Sequence, residues 1–180
     1  MNKIEERHQV FHSFCTYPRI RFDGQHDREQ VILILRAHPI TQIFWLINSF
    51  FFLILVIGLI SFVNRLLSPG QIFFIMMFSF SLIFSYLWFN FLGWYFNVGL
   101  ITNERAVDID FHSVIYKEVT MAMASKIEDV TSKSGGFFCS FFDYGNVFIQ
   151  TAGTEANIEF INIPKPSEVV RNINQMIGNQ

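Results

Sequence analysis

Side chains able to do chemistry are few in this 180-residue chain. His8, His12 and Cys15 have a spacing that would bring them together on a helix, as metal ligands would be. A zinc site needs a fourth ligand or an open catalytic position. His26 and His38 are the other histidines nearby. Borderline ligands scattered through a polar tail do not make a site by themselves, so no metal and no cofactor are expected. Cys139 lies in Gly135-Gly136-Phe137-Phe138-Cys139-Ser140, among aromatics and without a nearby base. A reactive thiol wants an electropositive setting, so a structural cysteine is expected. Asp110, His112 and Ser113 are close in sequence. Neighbours on a strand point to opposite faces, and a triad is defined by geometry. With no glycine-rich phosphate loop and no zinc spacing, no catalytic residues are assigned and the chain reads as a non-enzyme.

The elements that would position these residues begin with a long uncharged region. Between Arg36 and Glu104 the single charged residue is Arg65. On either side of it lie apolar stretches of about 40–63 and 72–96, each longer than the ~20 residues a helix needs to cross the hydrocarbon core. Backbone polar groups in lipid must be satisfied internally, so a two-helix transmembrane hairpin is expected. The charged first residues, Met1 to Arg7, lack an apolar run, so the first span is expected to direct insertion itself. Arg19, Arg21, Arg28 and Arg36 precede that span, and Arg105 and Lys117 follow the second. The positive-inside rule then predicts a multi-pass protein of the cell membrane with both termini cytoplasmic. Ser68-Pro69-Gly70 is the expected breaker of the external turn. Asn48 and Asn90 fall at similar depth in an antiparallel hairpin. No ionisable residue accompanies them to mark a transport path, so an interhelical contact of about 0.6–2 kcal/mol is expected.

Three regions follow: a cytoplasmic N-terminal segment, 1–38; the hairpin, 39–96; and a cytoplasmic domain, 97–180. Asp27-Arg28-Glu29-Gln30 resembles a capped helix start. Val31–Leu35 fits a short helix or a buried strand. In the C-terminal domain Asn103-Glu104 joins strands 97–102 and 105–111 as a two-residue hairpin. Alternation predicts Val107, Ile109 and Phe111 inward, with Ala106, Asp108 and Asp110 outward. Further strands are expected at 114–119, 126–132, 146–151 and 157–161. Ser167 then caps a helix whose apolar face is Val169, Val170, Ile173, Met176 and Ile177. Six strands and a helix suggest an α+β domain: a curved antiparallel sheet or β-barrel capped by a C-terminal helix. This domain holds six basic and ten acidic side chains. That balance argues against nucleic acid and against tight docking on anionic lipid. Cys15 and Cys139, far apart in sequence, are expected to be free thiols.

Four segments resemble the bacterial PH-like domain of YdbS-type membrane proteins. They are Leu100-Ile101-Thr102-Asn103-Glu104-Arg105, Ser125-Lys126-Ile127-Glu128-Asp129-Val130, the run from Phe142 to Gly153 with its Tyr144-Gly145-Asn146 turn, and Ile163-Pro164-Lys165-Pro166 followed by Val169. Their order and spacing extend the likeness over about 28–177. The resemblance implies a PH-like fold and a membrane location, and it marks Arg105, Asn103 and Gly145 as motif positions. It implies no reaction, since the fold hosts lipid binders, peptide binders and assembly modules. Phosphoinositide readers place several basic residues around the first hairpin, and here Arg105 stands alone beside Glu104. A turn charge paired with Glu104, Glu128 or Asp129 is the expectation for it. The functional expectation is a membrane-anchored protein-binding or assembly module, with a protein partner or a second copy. A lipid-headgroup sensor is the alternative, ahead of a membrane enzyme or transporter.

Overall fold

The computed structural model describes residues 12–18, 20–22, 24–111, 117–153 and 157–178. The chain forms two compact units, 1–39 with 94–180, and 40–93. The helical segment is thus an insertion within a single β-rich domain. The expectations that fall on His8, on His112 and Ser113, and on residues 114–116 lie outside the described residues.

The helical unit is built from two apolar helices. A 3-10 turn, Pro39–Gln42, leads into α1, Ile43–Val63; α2 is Pro69–Phe96. With the turn included they measure 25 and 28 residues and are long and apolar enough to cross a membrane. Ser68-Pro69-Gly70 does not break the chain between helices. Ser68 and Gln71 form a reciprocal capping box: the Gln71 N–H donates to Ser68 Oγ and the Ser68 N–H to Gln71 Oε1. Pro69 then sits where its missing N–H is harmless.

The β-rich unit has a five-stranded sheet and a three-stranded sheet. In the first, β1 (Phe14–Thr16), β2 (Val31–Leu35), β3 (Val98–Thr102), β4 (Arg105–Phe111) and β5 (Lys117–Met123) follow in spatial order, all antiparallel. In the second, β6 (Ile127–Lys133), β7 (Tyr144–Thr151) and β8 (Ile158–Pro164) do the same. A short helix α3, Phe137–Phe141, interrupts the β6–β7 connection, and α4, Pro166–Gly178, ends the domain. The expected barrel is not closed. A 3-10 turn at Ala124–Lys126 carries the chain from one sheet to the other, and the two sheets stay separate in their pairing.

Asp27 caps no helix, which corrects the expected helix start, and of its two readings Val31–Leu35 takes the buried strand: it is β2, second in the first sheet. It pairs with β3 across the whole helical insertion, with Leu35 opposite Gly99 and Val31 opposite Thr102. The expected division of β4 into one buried and one solvent face does not hold, because Ala106 and Val107 are both buried. Ala106 enters the main core with Leu33, Leu35 and Ile101 from the first sheet. Val107 belongs to a second cluster with Cys15, Ile34 and Leu100, against which Ile20 and Phe22 pack. Both faces of the sheet are covered, so alternation alone could not say which was inner. The inner face of the second sheet adds Val130, Val147, Ile149 and Phe160, and α4 adds Val169, Ile173 and Met176. That helix starts at Pro166, so Ser167 lies in its first turn, and the Lys165 carbonyl accepts the Glu168 and Val169 N–H groups.

Cover on both faces of β4 has an electrostatic consequence. Asp108 shares the inner face with Ala106, and its register partners are Gly99 and Thr120. Burial, with Asp110 and Glu118 nearby, pushes its carboxyl up to about 7. The unfolded chain releases this proton near the ordinary 3.8, and the folded domain holds it until about 7. The folded state therefore binds more protons across that window, and this contribution to stability falls as pH rises through it. Asp108→Asn is expected to flatten the thermal midpoint between pH 4 and 7 and to raise it at pH 8. An unchanged pH profile of the melting temperature would refute this.

Candidate functional site

The polar groups converge where the β3–β4 turn meets the segment before β2. Thr102 organises the turn. Its hydroxyl accepts the Glu104 and Arg105 N–H groups at 3.1 and 3.0 Å and donates to Glu29 Oε1 at 2.8 Å. Asn103 ties the two strands together. Its Oδ1 accepts the Gln30 N–H at 2.7 Å, its N–H donates to the Gln30 carbonyl, and its Nδ2 donates to the Arg28 carbonyl. Asn103 is thus a bracket across the sheet, with its amide engaged by main chain.

The ion-pair partner of Arg105 is Glu29, and of the three acids expected from sequence Glu104 adds a coulombic contribution. Its Nε donates to Glu29 Oε1 and one terminal nitrogen to Oε2, both at 2.9 Å. The same terminal nitrogen reaches the Gly24 carbonyl at 2.7 Å, and the other lies 3.4 Å from Met121 Sδ. The Phe22 ring lies beneath the guanidinium, 5.5 Å away. The Glu29 side chain is fully buried and that of Arg105 is 14% exposed. This bidentate geometry suits guanidinium and carboxylate. Burial alone would raise the Glu29 carboxyl, yet hydrogen bonds from Arg105, the His26 N–H and Thr102 hold it below its ordinary value. The Glu29 contact raises Arg105 in turn.

His26, Glu29 and Glu104 bring potential cation ligands within 4.8 Å of one another. His26 Nδ1 lies 2.8 Å from Glu104 Oε2. Both Glu29 oxygens already face Arg105, so a cation would have to displace that guanidinium. Beside the cluster is a polar cavity of about 540 Å³ lined by Tyr17, Arg21, His26 and Gln30 among others.

The cluster occupies one end of the first sheet, and the chain's passages into the helical segment occupy the other. Val31 and Thr102 pair near Arg105, whereas Leu35 and Gly99 pair where the chain departs and returns. At that second end Trp94 Nε1 donates to the Ala37 carbonyl at 2.8 Å, and the Arg36 guanidinium lies 4.8 Å from the Tyr95 ring centre.

The remaining sequence-derived positions are dispersed. Gly145 opens β7, where an added Cβ would meet Ser134 Oγ and come within 2.6 Å of the Lys133 carbonyl oxygen. A close backbone approach accounts for glycine there. Asn48 lines a cavity of about 230 Å³ with Ser49, Phe52, Leu82, Ile83 and Tyr86. Asn90 Nδ2 donates to the Tyr86 carbonyl one turn earlier in α2. Cys15 is buried in β1, and the Cys139 thiol hydrogen-bonds the Tyr144 hydroxyl, raising that tyrosine. Glu29 escaped sequence reading because it resembled part of a helix start; its signal was an acid two residues before a run of five apolar residues.

Among the described residues, the polar groups at this turn bond to one another and to main chain. No match was found among curated proteins. A crystal structure of a DUF1696 family protein with a pleckstrin-homology domain, from Shewanella loihica PV-4, is similar at 21% identity and a TM-score of 0.32, over 46% of this chain and 68% of that one. The bacterial PH domain family matches residues 39–177, both apolar helices and the strands that follow them, and the chain belongs to that family.

Proposed function

We propose that this is a non-catalytic, membrane-anchored PH-like protein of the YdbS type, acting as a protein-binding or assembly module at the cytoplasmic membrane face. Helices 39–63 and 69–96 span the cell membrane in this reading, and both termini are cytoplasmic. The observation that carries the binding role is strand β5. Among the described residues it pairs with β4 alone, and it ends the sheet. Val119, Met121 and Met123 are exposed on it and lie opposite Ile109, Val107 and Arg105, so they extend the outer apolar face to an open edge. A free edge with an apolar face is a template for strand addition by a peptide or a second copy. Headgroup sensing is less well supported. Arg105, the basic residue of the first hairpin, is already held by a buried carboxylate at the sheet end opposite the chain's entry into the helices.

With a photocrosslinking residue at Met121, the full chain in cells is expected to give discrete protein adducts, dimer included, that vanish when the residue is moved to Glu128. Adducts to lipid alone, or none, would overturn the reading. Topology is read separately by an impermeant thiol reagent on intact cells. It is expected to modify Ser68→Cys and spare Glu128→Cys, and the reverse pattern would invert the assignment. Native Cys15 is a poor reporter, being fully buried.

Asn48 and Asn90 are proposed to hold the helical pair, coupled through Tyr86. Asn48→Leu and Asn90→Leu are each expected to lower stability in detergent by about 1 kcal/mol, with the double variant less than additive. Full additivity would separate them.

A further inference from the structure

The β6–β7 connection carries an aromatic surface that the binding edge does not explain. From Ser134 to Phe142 there is no charged side chain, and Phe137, Phe138, Phe141 and Phe142 supply four rings. Phe137, Phe138 and Phe141 are 77, 61 and 71% exposed. Phe137 and Phe141 stack at 6.0 Å, and Phe141 meets Phe142 edge-on at 4.9 Å, so the rings form one patch. Water-facing apolar patches of this kind mark interaction surfaces.

The turn that presents them is held firmly. Gly136 precedes α3 at a φ of 96°, a conformation that favours glycine. The Ser140 and Phe142 N–H groups donate to the Gly136 and Phe138 carbonyls. Tyr144 stacks on His38 at 5.5 Å, and Phe142 lies 6.4 Å from the same ring. His38 is itself fixed by its N–H to the Asn162 carbonyl at 2.7 Å. It immediately precedes Pro39, where the first apolar helix begins. The aromatic turn is therefore docked beside the residue at which the chain leaves the domain for its helical segment.

We propose that the Phe137–Phe142 turn is an interfacial anchor whose rings enter the bilayer leaflet adjoining the domain. The inference depends on the membrane reading above and adds a second point of attachment to it. The occupant is lipid because the patch is docked by His38, the residue directly before Pro39, where the chain leaves the domain for the bilayer in that reading. Phe is among the side chains that interfacial segments bury at the headgroup–acyl boundary. Lys133 and Asp143 flank the turn with opposite charges, so insertion does not require anionic lipid.

The full chain, as a single copy in phosphatidylcholine nanodiscs, carries a spin label at Phe137→Cys or at Phe141→Cys, each in a Cys139→Ala background. Labels at Glu128→Cys and Phe78→Cys serve as the aqueous and mid-helix references. Both substituted phenylalanines are exposed, so folding is not at risk. The expected result is loss of collision with a water-soluble nickel chelate and retained collision with oxygen at 137 and 141, as at 78. Labels at 137 and 141 as accessible as that at 128, with 78 shielded, would overturn the anchor and leave the spans intact. A chelate-accessible label at 78 would overturn the membrane reading and the anchor with it. Shielding at 137 only when several copies share a vesicle, with spin–spin broadening, would assign the patch to a second copy and overturn the anchor.

Discussion

Joining Pro39 to Trp94 through a linker of about five residues is expected to yield a water-soluble domain that unfolds cooperatively, since such connections suit adjacent strands. Residues 97–180 alone are expected not to fold. The reason is β2. Leu33, Ile34 and Leu35 are fully or almost fully buried, and the strand separates β1 from β3. Burial of each such side chain contributes about 1.5–3 kcal/mol, so their loss approaches the ~5–15 kcal/mol that holds a whole domain folded. The linker need not be long, because Trp94 already bonds Ala37 and Tyr95 already meets Arg36. Circular-dichroism melts and amide NMR dispersion of both fragments decide the matter. A cooperative melt of 97–180, or an aggregated joined fragment, would contradict this account.

Glu29→Ala in the full chain is expected to lower stability by about 3–5 kcal/mol, the cost of stranding a buried ionic partner. The Arg105 guanidinium, the Thr102 hydroxyl and the His26 N–H would all lose the carboxylate. Arg105→Ala should cost a similar amount, because it leaves a fully buried carboxylate. Replacing both, as Glu29→Met with Arg105→Leu, is expected to cost far less than the sum, since removing a buried pair together leaves no orphan charge. Because Glu29 is held below its ordinary value, its contribution is present above pH 4.5 and is lost as pH falls through the depressed value. The single-variant penalty should therefore shrink in acid. Additive single and double effects in detergent melts would show that the pair does not act as a unit.

Several elements were legible in the sequence because their signals are local. Hydropathy over two dozen residues identifies both apolar helices whatever surrounds them. The period of two and the Asn103-Glu104 turn locate β3 and β4. The apolar face of 169–177 locates α4, whose Val169, Ile173 and Met176 are buried. What tertiary structure alone decided is everything set by partners distant in the chain. Val31–Leu35 is a strand because β3 receives it after the helical insertion, and no local period distinguishes that from a short helix. The inner face of β4 is the one bearing Ala106 and Asp108, because apolar cover lies on both sides and packing chooses between them. Arg105 takes Glu29 rather than the acids nearer in sequence, because the β2–β3 register carries Glu29 to the turn and buries it there. The position of the aromatic turn beside His38 follows from the same cause: strand pairing joins residues that the linear chain keeps a hundred positions apart.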